Sequence, residues 1–272
     1  DFLKTPAAGE VFTRHGFEPV ASPASVKQPV KTLPAIQPVH DQSPVWEAMA
    51  LSARVASGCI LVILFPGLAC GWLLARKQFK GKWLVEALVN VPLVLPTVVT
   101  GYLALLALGR RSLIGLWLES TFGWSLSFHW SGAIVASAIM GFPLLVRSVR
   151  IAVELMDQRH EGAASTLGAS PVRVFMTISR LLIAPGLIGG LALAFARSLG
   201  EFGATITFAG NIEGQTRTLS LAIYGLMQTP GGDSAAARLI VFSLILSLGA
   251  LMISEFFVGR IERRSRSEMM SC

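Results

Sequence analysis

Five stretches of this chain, near 51–75, 84–108, 131–151, 183–208 and 239–259, are mostly apolar over the length a helix needs to cross a lipid bilayer. The hydrocarbon layer is about 30 Å thick and a helix rises about 1.5 Å per residue, so about 20 residues suffice. Inside lipid the backbone finds no water, and a helix satisfies its own polar groups within one segment. The chain is therefore expected to be all-α, a polytopic membrane protein with about five transmembrane helices. Its charged fraction of 14% agrees, since soluble domains carry about a quarter.

Five spans sort the basic residues. Arg76, Lys77, Lys80 and Lys82 share a side with Arg147, Arg150, Arg159, Arg173 and Arg180, and with Arg260, Arg263, Arg264 and Arg266. The opposite loops hold only Arg110, Arg111, Arg217 and Arg238. Lys and Arg mark the cytoplasmic side, so the N-terminus is expected outside, in the periplasm, and the C-terminus in the cytoplasm. The net charge of +7 follows from topology and attraction to the anionic bilayer, and nucleic-acid binding is not expected. Cys59 and Cys70 fall on one predicted helix, about 16 Å apart and too far for a disulfide.

Two regions carry the polar residues that lipid-facing helices do not need. Glu161, Gly162, Ala163, Ala164 and Gly168 lie in a small-residue loop between the third and fourth spans. Its low bulk offers close backbone contact to a short helix of a partner. Deeper in the fourth span, Arg197 and Glu201 are spaced i,i+4, so they can neutralise one another. Charges at such depth face a bundle interior or a water-filled path, and both a static pair and an arginine offered to a passing anion fit the spacing. Thr97, Thr100, Ser198, Thr205 and Thr207 add hydroxyls, and Gly200 and Gly203 expose backbone amides. Weak polar contacts of this kind suit a conducted ion, which a deep well would trap; helix packing is the other use of the same residues. Pro92 and Pro96 invite a kink or local unwinding in the second span. The segment 218–229 is too short to cross, and an ordinary extracellular loop and a surface helix over the outer mouth that serves as a docking platform both fit it.

No G-x-x-x-x-G-K-[S/T] loop occurs, so ATP hydrolysis is expected in a partner rather than here. His15, His40, His129 and His160 are scattered and no C-x-x-C or H-E-x-x-H is present. No catalytic, cofactor or metal site is expected.

The segment 152–182 resembles the loop of ABC importer permeases, E-A-A-x3-G-x9-I-x-L-P, with the register set by Gly168 and Ile178. The glutamate is displaced one position, to Glu161, and Arg180 and Leu181 stand where that pattern closes with Leu and Pro. The run from Ala194 to Phe208, then 214–218 and 228–238, with the earlier 91–97, Gly101, Tyr102 and 109–111, is similar to the permease subunit of molybdate ABC importers. This resemblance covers about 46–262 and implies a type I importer permease acting as a homodimer. Its implied partners are cytoplasmic ABC ATPase subunits and a periplasmic oxyanion-binding protein, in the inner membrane. Sulfate or thiosulfate permeases share the G-E-F-G-A-T character of 200–205, and tungstate is close to molybdate in chemistry. A passive anion channel is the rival from another class.

Residues 1–17 read as a soluble amphipathic helix and resemble the last helix of periplasmic oxyanion-binding proteins, through Phe2, Leu3, Thr5, Pro6, Ala8, Phe12, Gly16 and Phe17. Residues 18–45 are a Pro-rich linker, 46–262 the permease domain and 263–272 a cytoplasmic tail. A binding protein fused through the linker, a mistaken start site and a disordered tail all remain open on this reading.

Overall fold

The computed structural model describes residues 43–123, 125–156, 162, 166, 168 and 170–270, and every element among them is helical. α1 (Ser43–Arg76) begins inside the stretch expected as linker; residues 1–42 lie outside the described residues. α2 (Lys82–Val94) and α3 (Thr97–Leu108) follow where one span was expected. Then come α4 (Leu113–Phe122), α5 (Trp130–Glu154), α6 (Pro171–Val174) with a π turn over Phe175–Ser179, α7 (Arg180–Leu199), α8 (Gly203–Phe208), α9 (Leu219–Met227) and α10 (Asp233–Met270). Four of these, α1, α5, α7 and α10, are long and apolar enough to cross a membrane; α2 and α3 qualify only together, bent by 117°.

Small residues set the helix directions. A side chain on Gly67 would meet Leu145 at 2.6 Å, and one on Gly71 would meet Val149 at 2.8 Å, while Gly58 faces Ile134. Residue numbers rise together along both helices, so α1 and α5 run parallel. Gly186 faces Ala152 and Gly190 faces Ser148, so α7 runs antiparallel to both. Such close approach is what small residues supply in membranes, where lipid is as apolar as the helix surface. Cys59, Ile63, Leu145, Val149, Ile183 and Ala194 fill the centre of this three-helix core. On the outside, Leu61, Phe65, Leu244, Ile245, Met252 and Phe256 are exposed, the surface a hydrocarbon layer covers.

Because α1 and α5 are parallel, the chain between Arg76 and Trp130 must return from one end of the bundle to the other. The bent α2–α3 pair makes that return, so it counts as a crossing. Ala48 and Met49 at the start of α1 pack with Leu219 and Leu239 near the starts of α9 and α10. The described chain thus enters at one end of the bundle and leaves at the other.

Two expected spans are interrupted. Pro92 stays inside α2, and the turn falls at Leu95 and Pro96, both extended, with ψ of 146° and 134°. Pro96 lacks an N–H and drives the residue before it out of the helical region. Proline alone does not break a span here, since Pro66, Pro143 and Pro185 also sit inside helices. The fourth span, expected to run to 208, stops at Leu199 and restarts at Gly203.

Candidate translocation path and coupling loop

Why the fourth span stops and restarts is visible in one side chain. A helix start leaves backbone N–H groups without partners, and Glu201 Oε1 accepts one of them, from Ala204, at 2.9 Å. Its other oxygen lies 2.7 Å from Arg197 Nη1. The pair expected from i,i+4 spacing does form, but it bridges the end of α7 to the start of α8 rather than lying along one helix. Glu201 is 1% exposed while the Arg197 side chain keeps 30% of its surface. Burying the carboxylate is tolerable because it is paired with a cation and hydrogen-bonded; the guanidinium retains an open edge. The break is also tied to its surroundings. Ser220 Oγ donates to the Glu201 carbonyl at 2.6 Å, and the Leu219 amide donates to Ser52 Oγ at 2.6 Å, linking α9 to the break and to α1.

The two interrupted spans meet each other. A side chain on Gly101 of α3 would collide with Thr207 and with the backbone of Ala204, and one on Gly203 of α8 would collide with Thr97. At the same end, the Phe128 amide donates to the Phe208 carbonyl at 3.1 Å, so α3 and α8 lie beside the start of α5. That is the bundle end opposite Arg147 and Arg150.

Each threonine expected along the path sits in or beside this crossing. Thr97 and Thr207 are half-buried, and Thr100 and Thr205 are buried. Thr207 spends its hydroxyl on the Gly203 carbonyl at 2.7 Å. Thr100 approaches the Pro96 carbonyl at 3.5 Å. The Thr205 hydroxyl finds no hydrogen-bond partner among the described residues.

In the loop expected to dock a partner, Gly162 is exposed with open space where a side chain would be. Gly168 is exposed at φ 80°, a left-handed conformation that glycine adopts freely. Glu161, Ala163 and Ala164 lie outside the described residues. The segment after the loop starts with ordinary punctuation: the Arg173 amide donates to Ser170 Oγ at 3.4 Å and Pro171 takes the first helical position. Phe175 of the π turn packs edge-on against Trp72 at 5.2 Å, fixing the loop's exit to α1.

Sequence reasoning did not find Ser52 or Ser220, whose partners are remote in the chain, nor the π turn. The one available signal was the cluster Gly200-Glu201-Phe202-Gly203 inside an apolar run.

The model of the family described as "Binding-protein-dependent transport system inner membrane component" matches residues 67–267. The chain is 52% identical over 220 residues to the molybdenum transport system permease protein ModB of Escherichia coli strain K12, covering 81% of this chain and 96% of that one. It is 50% identical to the protein of the same name from Haemophilus influenzae, covering 80% and 95%, and 35% identical to the sulfate transport system permease protein CysT of E. coli, covering 79% and 78%. Among solved structures, the fold matches the inward-facing MetNI methionine ABC transporter with a TM-score of 0.58 at 17% identity over 80% of this chain and 94% of that one. A bacterial alginate ABC transporter matches with 0.64 at 15% over 81% and 80%. This is an all-helical, multi-pass membrane protein with the fold of ABC importer permeases, and it belongs to the family of binding-protein-dependent transport system inner membrane components.

Proposed function

We propose that the chain is the permease subunit of an ATP-driven importer that moves molybdate across the inner membrane. The observation that carries this reading is the 52% identity spanning 96% of a molybdenum permease, against 35% over 78% of a sulfate permease. The parallel α1 and α5 support five crossings, and five crossings gather the basic segments at one end, which the positive-inside rule assigns to the cytoplasm. The start of α1 then faces the periplasm. Cytoplasmic ATPase subunits would grip the loop from Glu161 to Gly168, two copies of the chain would enclose the path, and a periplasmic binding protein would deliver its oxyanion at the end where α3, α8 and α9 lie.

In this mechanism ATP-driven closure of the ATPases pulls on the loop that leads into α7. The motion reaches the break at Gly200–Phe202, where the open edge of Arg197, held in place by Glu201, the Thr205 hydroxyl and, across the crossing from Thr207, the hydroxyls of Thr97 and Thr100 offer the dianion weak and exchangeable contacts. Replacing Gly162 by Trp fills the space where the partner would seat. ATP hydrolysis should continue while uptake falls at least ten-fold, measured on the same vesicles; normal coupling would remove the docking assignment.

The reading as a whole is tested by uptake into proteoliposomes holding this chain with its ATPase and binding protein. Molybdate or tungstate should accumulate only with ATP. Preferential sulfate uptake would transfer the chain to the sulfate class, and flux without nucleotide would make it a channel.

A further inference from the structure

Two cavities open along one seam of the molecule, where α2 lies over α1 and α5. The larger, about 430 Å³, is walled entirely by apolar side chains, among them Val62, Pro66, Leu88, Val89, Ala138 and Phe142. The smaller, about 250 Å³, is lined by Leu74, Glu86, Val89, Asn90, Arg147 and Arg150 with their neighbours. Val89 lines both, so the two lie next to one another along α2. The smaller lies at the basic end of the bundle, near the Arg76 terminus of α1.

The charges in the smaller cavity are unequal. Arg150 is engaged, 2.8 Å from Glu86 and 2.7 Å from Glu154, and Lys82 faces Glu86 at 4.0 Å. Arg147 is exposed and has no ion pair among the described residues. Among the described residues the pocket therefore presents one uncompensated cation, with the Asn90 amide beside it. From Val135, at the far end of the apolar cavity, to Arg147 is about 18 Å of helix, close to the depth of one bilayer leaflet, about 15 Å. Exposed Trp83 on the first turn of α2 sits where interfacial aromatics gather.

We infer that these adjoining cavities hold an anionic phospholipid, with its phosphate on Arg147 and an acyl chain along the apolar seam between α2 and α5. An apolar cavity beside an arginine with no ion pair among the described residues matches a lipid better than a protein segment, which would bring backbone amides into a wall that offers them no partner. Basic pockets between membrane helices are suited to anionic headgroups. A lipid here would wedge α2 against the bundle up to the break at Pro96, so it would set the resting position of the bent span.

The test uses the assembled transporter in nanodiscs of mixed phosphatidylglycerol and phosphatidylcholine, with retained lipid counted by native mass spectrometry after mild delipidation. Phosphatidylglycerol should be retained selectively. Arg147→Gln should lower its retention about five-fold without changing phosphatidylcholine, and Val89→Phe, which narrows the apolar cavity, should lower both. If Val89→Phe fails to assemble, Arg147→Gln decides alone. A photo-crosslinking residue at position 89 should yield lipid adducts. Equal retention in wild type and Arg147→Gln would overturn the proposal. So would displacement of phosphatidylglycerol by millimolar molybdate, which would give Arg147 to the free oxyanion, or a crosslink from position 89 to a second copy.

Discussion

The three-helix core of α1, α5 and α7 and the crossing of α3 with α8 are built from the same residue types and behave oppositely. In the core, small residues lie along uninterrupted helices, and the space left by Gly67, Gly71 and Gly190 is filled by Leu145, Val149 and Ser148. At the crossing, glycine lies against backbone and hydroxyls: Gly101 against Ala204 and Thr207, Gly203 against Thr97. Both helices there follow a break, and the crossing holds the buried Glu201 and the buried Thr205 hydroxyl, which has no hydrogen-bond partner among the described residues. Continuous helices supply a frame, whereas the breaks after α2 and α7 bring polar groups to a crossing where a straight helix would present only its packed side chains.

Substitutions sharpen the contrast. Removing the Glu201 carboxylate in Glu201→Ala strips the cap from α8 and strands Arg197. Losing one partner of a fully buried pair costs about 3–5 kcal/mol; with Arg197 at 30% exposure the loss should fall near the lower figure, read as a drop in the thermal midpoint in detergent. Gly101→Leu forces a side chain into Ala204 and Thr207 and should cost about 1–3 kcal/mol, with uptake lost before ATP hydrolysis. Ser220→Ala removes the bond to the Glu201 carbonyl and should cost about 1 kcal/mol. Gly189→Ala lies in the frame with nothing near its missing side chain, so its effect should stay within about 1 kcal/mol with uptake unchanged. If Gly189→Ala damaged transport as Gly101→Leu does, the division into frame and crossing would fail.

Much of the frame was legible in the sequence because hydropathy reports length. α5 at Trp130–Glu154 differs by a few residues from the expected 131–151, and α1 ends at Arg76 beside the expected 75. Hydropathy does not report direction, so the 117° bend between α2 and α3 was reduced to a possible kink at two prolines, of which only Pro96 turns the chain. Likewise, the spacing of Arg197 and Glu201 foretold their pairing but not that the pair closes a break, because a cap depends on where the helix ends. The bonds from Ser52 to Leu219 and from Ser220 to Glu201 join remote segments, and a single sequence holds no signal for them. In the loop, the fit of Gly168 to its left-handed backbone gives the small-residue pattern a physical basis at one position.

The central claim is that the path follows the breaks in the second and fourth spans while α1 and α5 hold still. In a chain whose native cysteines are replaced, single cysteines at Thr97 and Thr207 on the crossing, and at Ser148 in the frame, should be modified with a small charged thiol reagent in the nucleotide-free and the ATP-trapped transporter. Modification at positions 97 and 207 should change at least ten-fold between the two states while position 148 stays constant. Equal rates in both states at the crossing, or a change confined to position 148, would contradict the account.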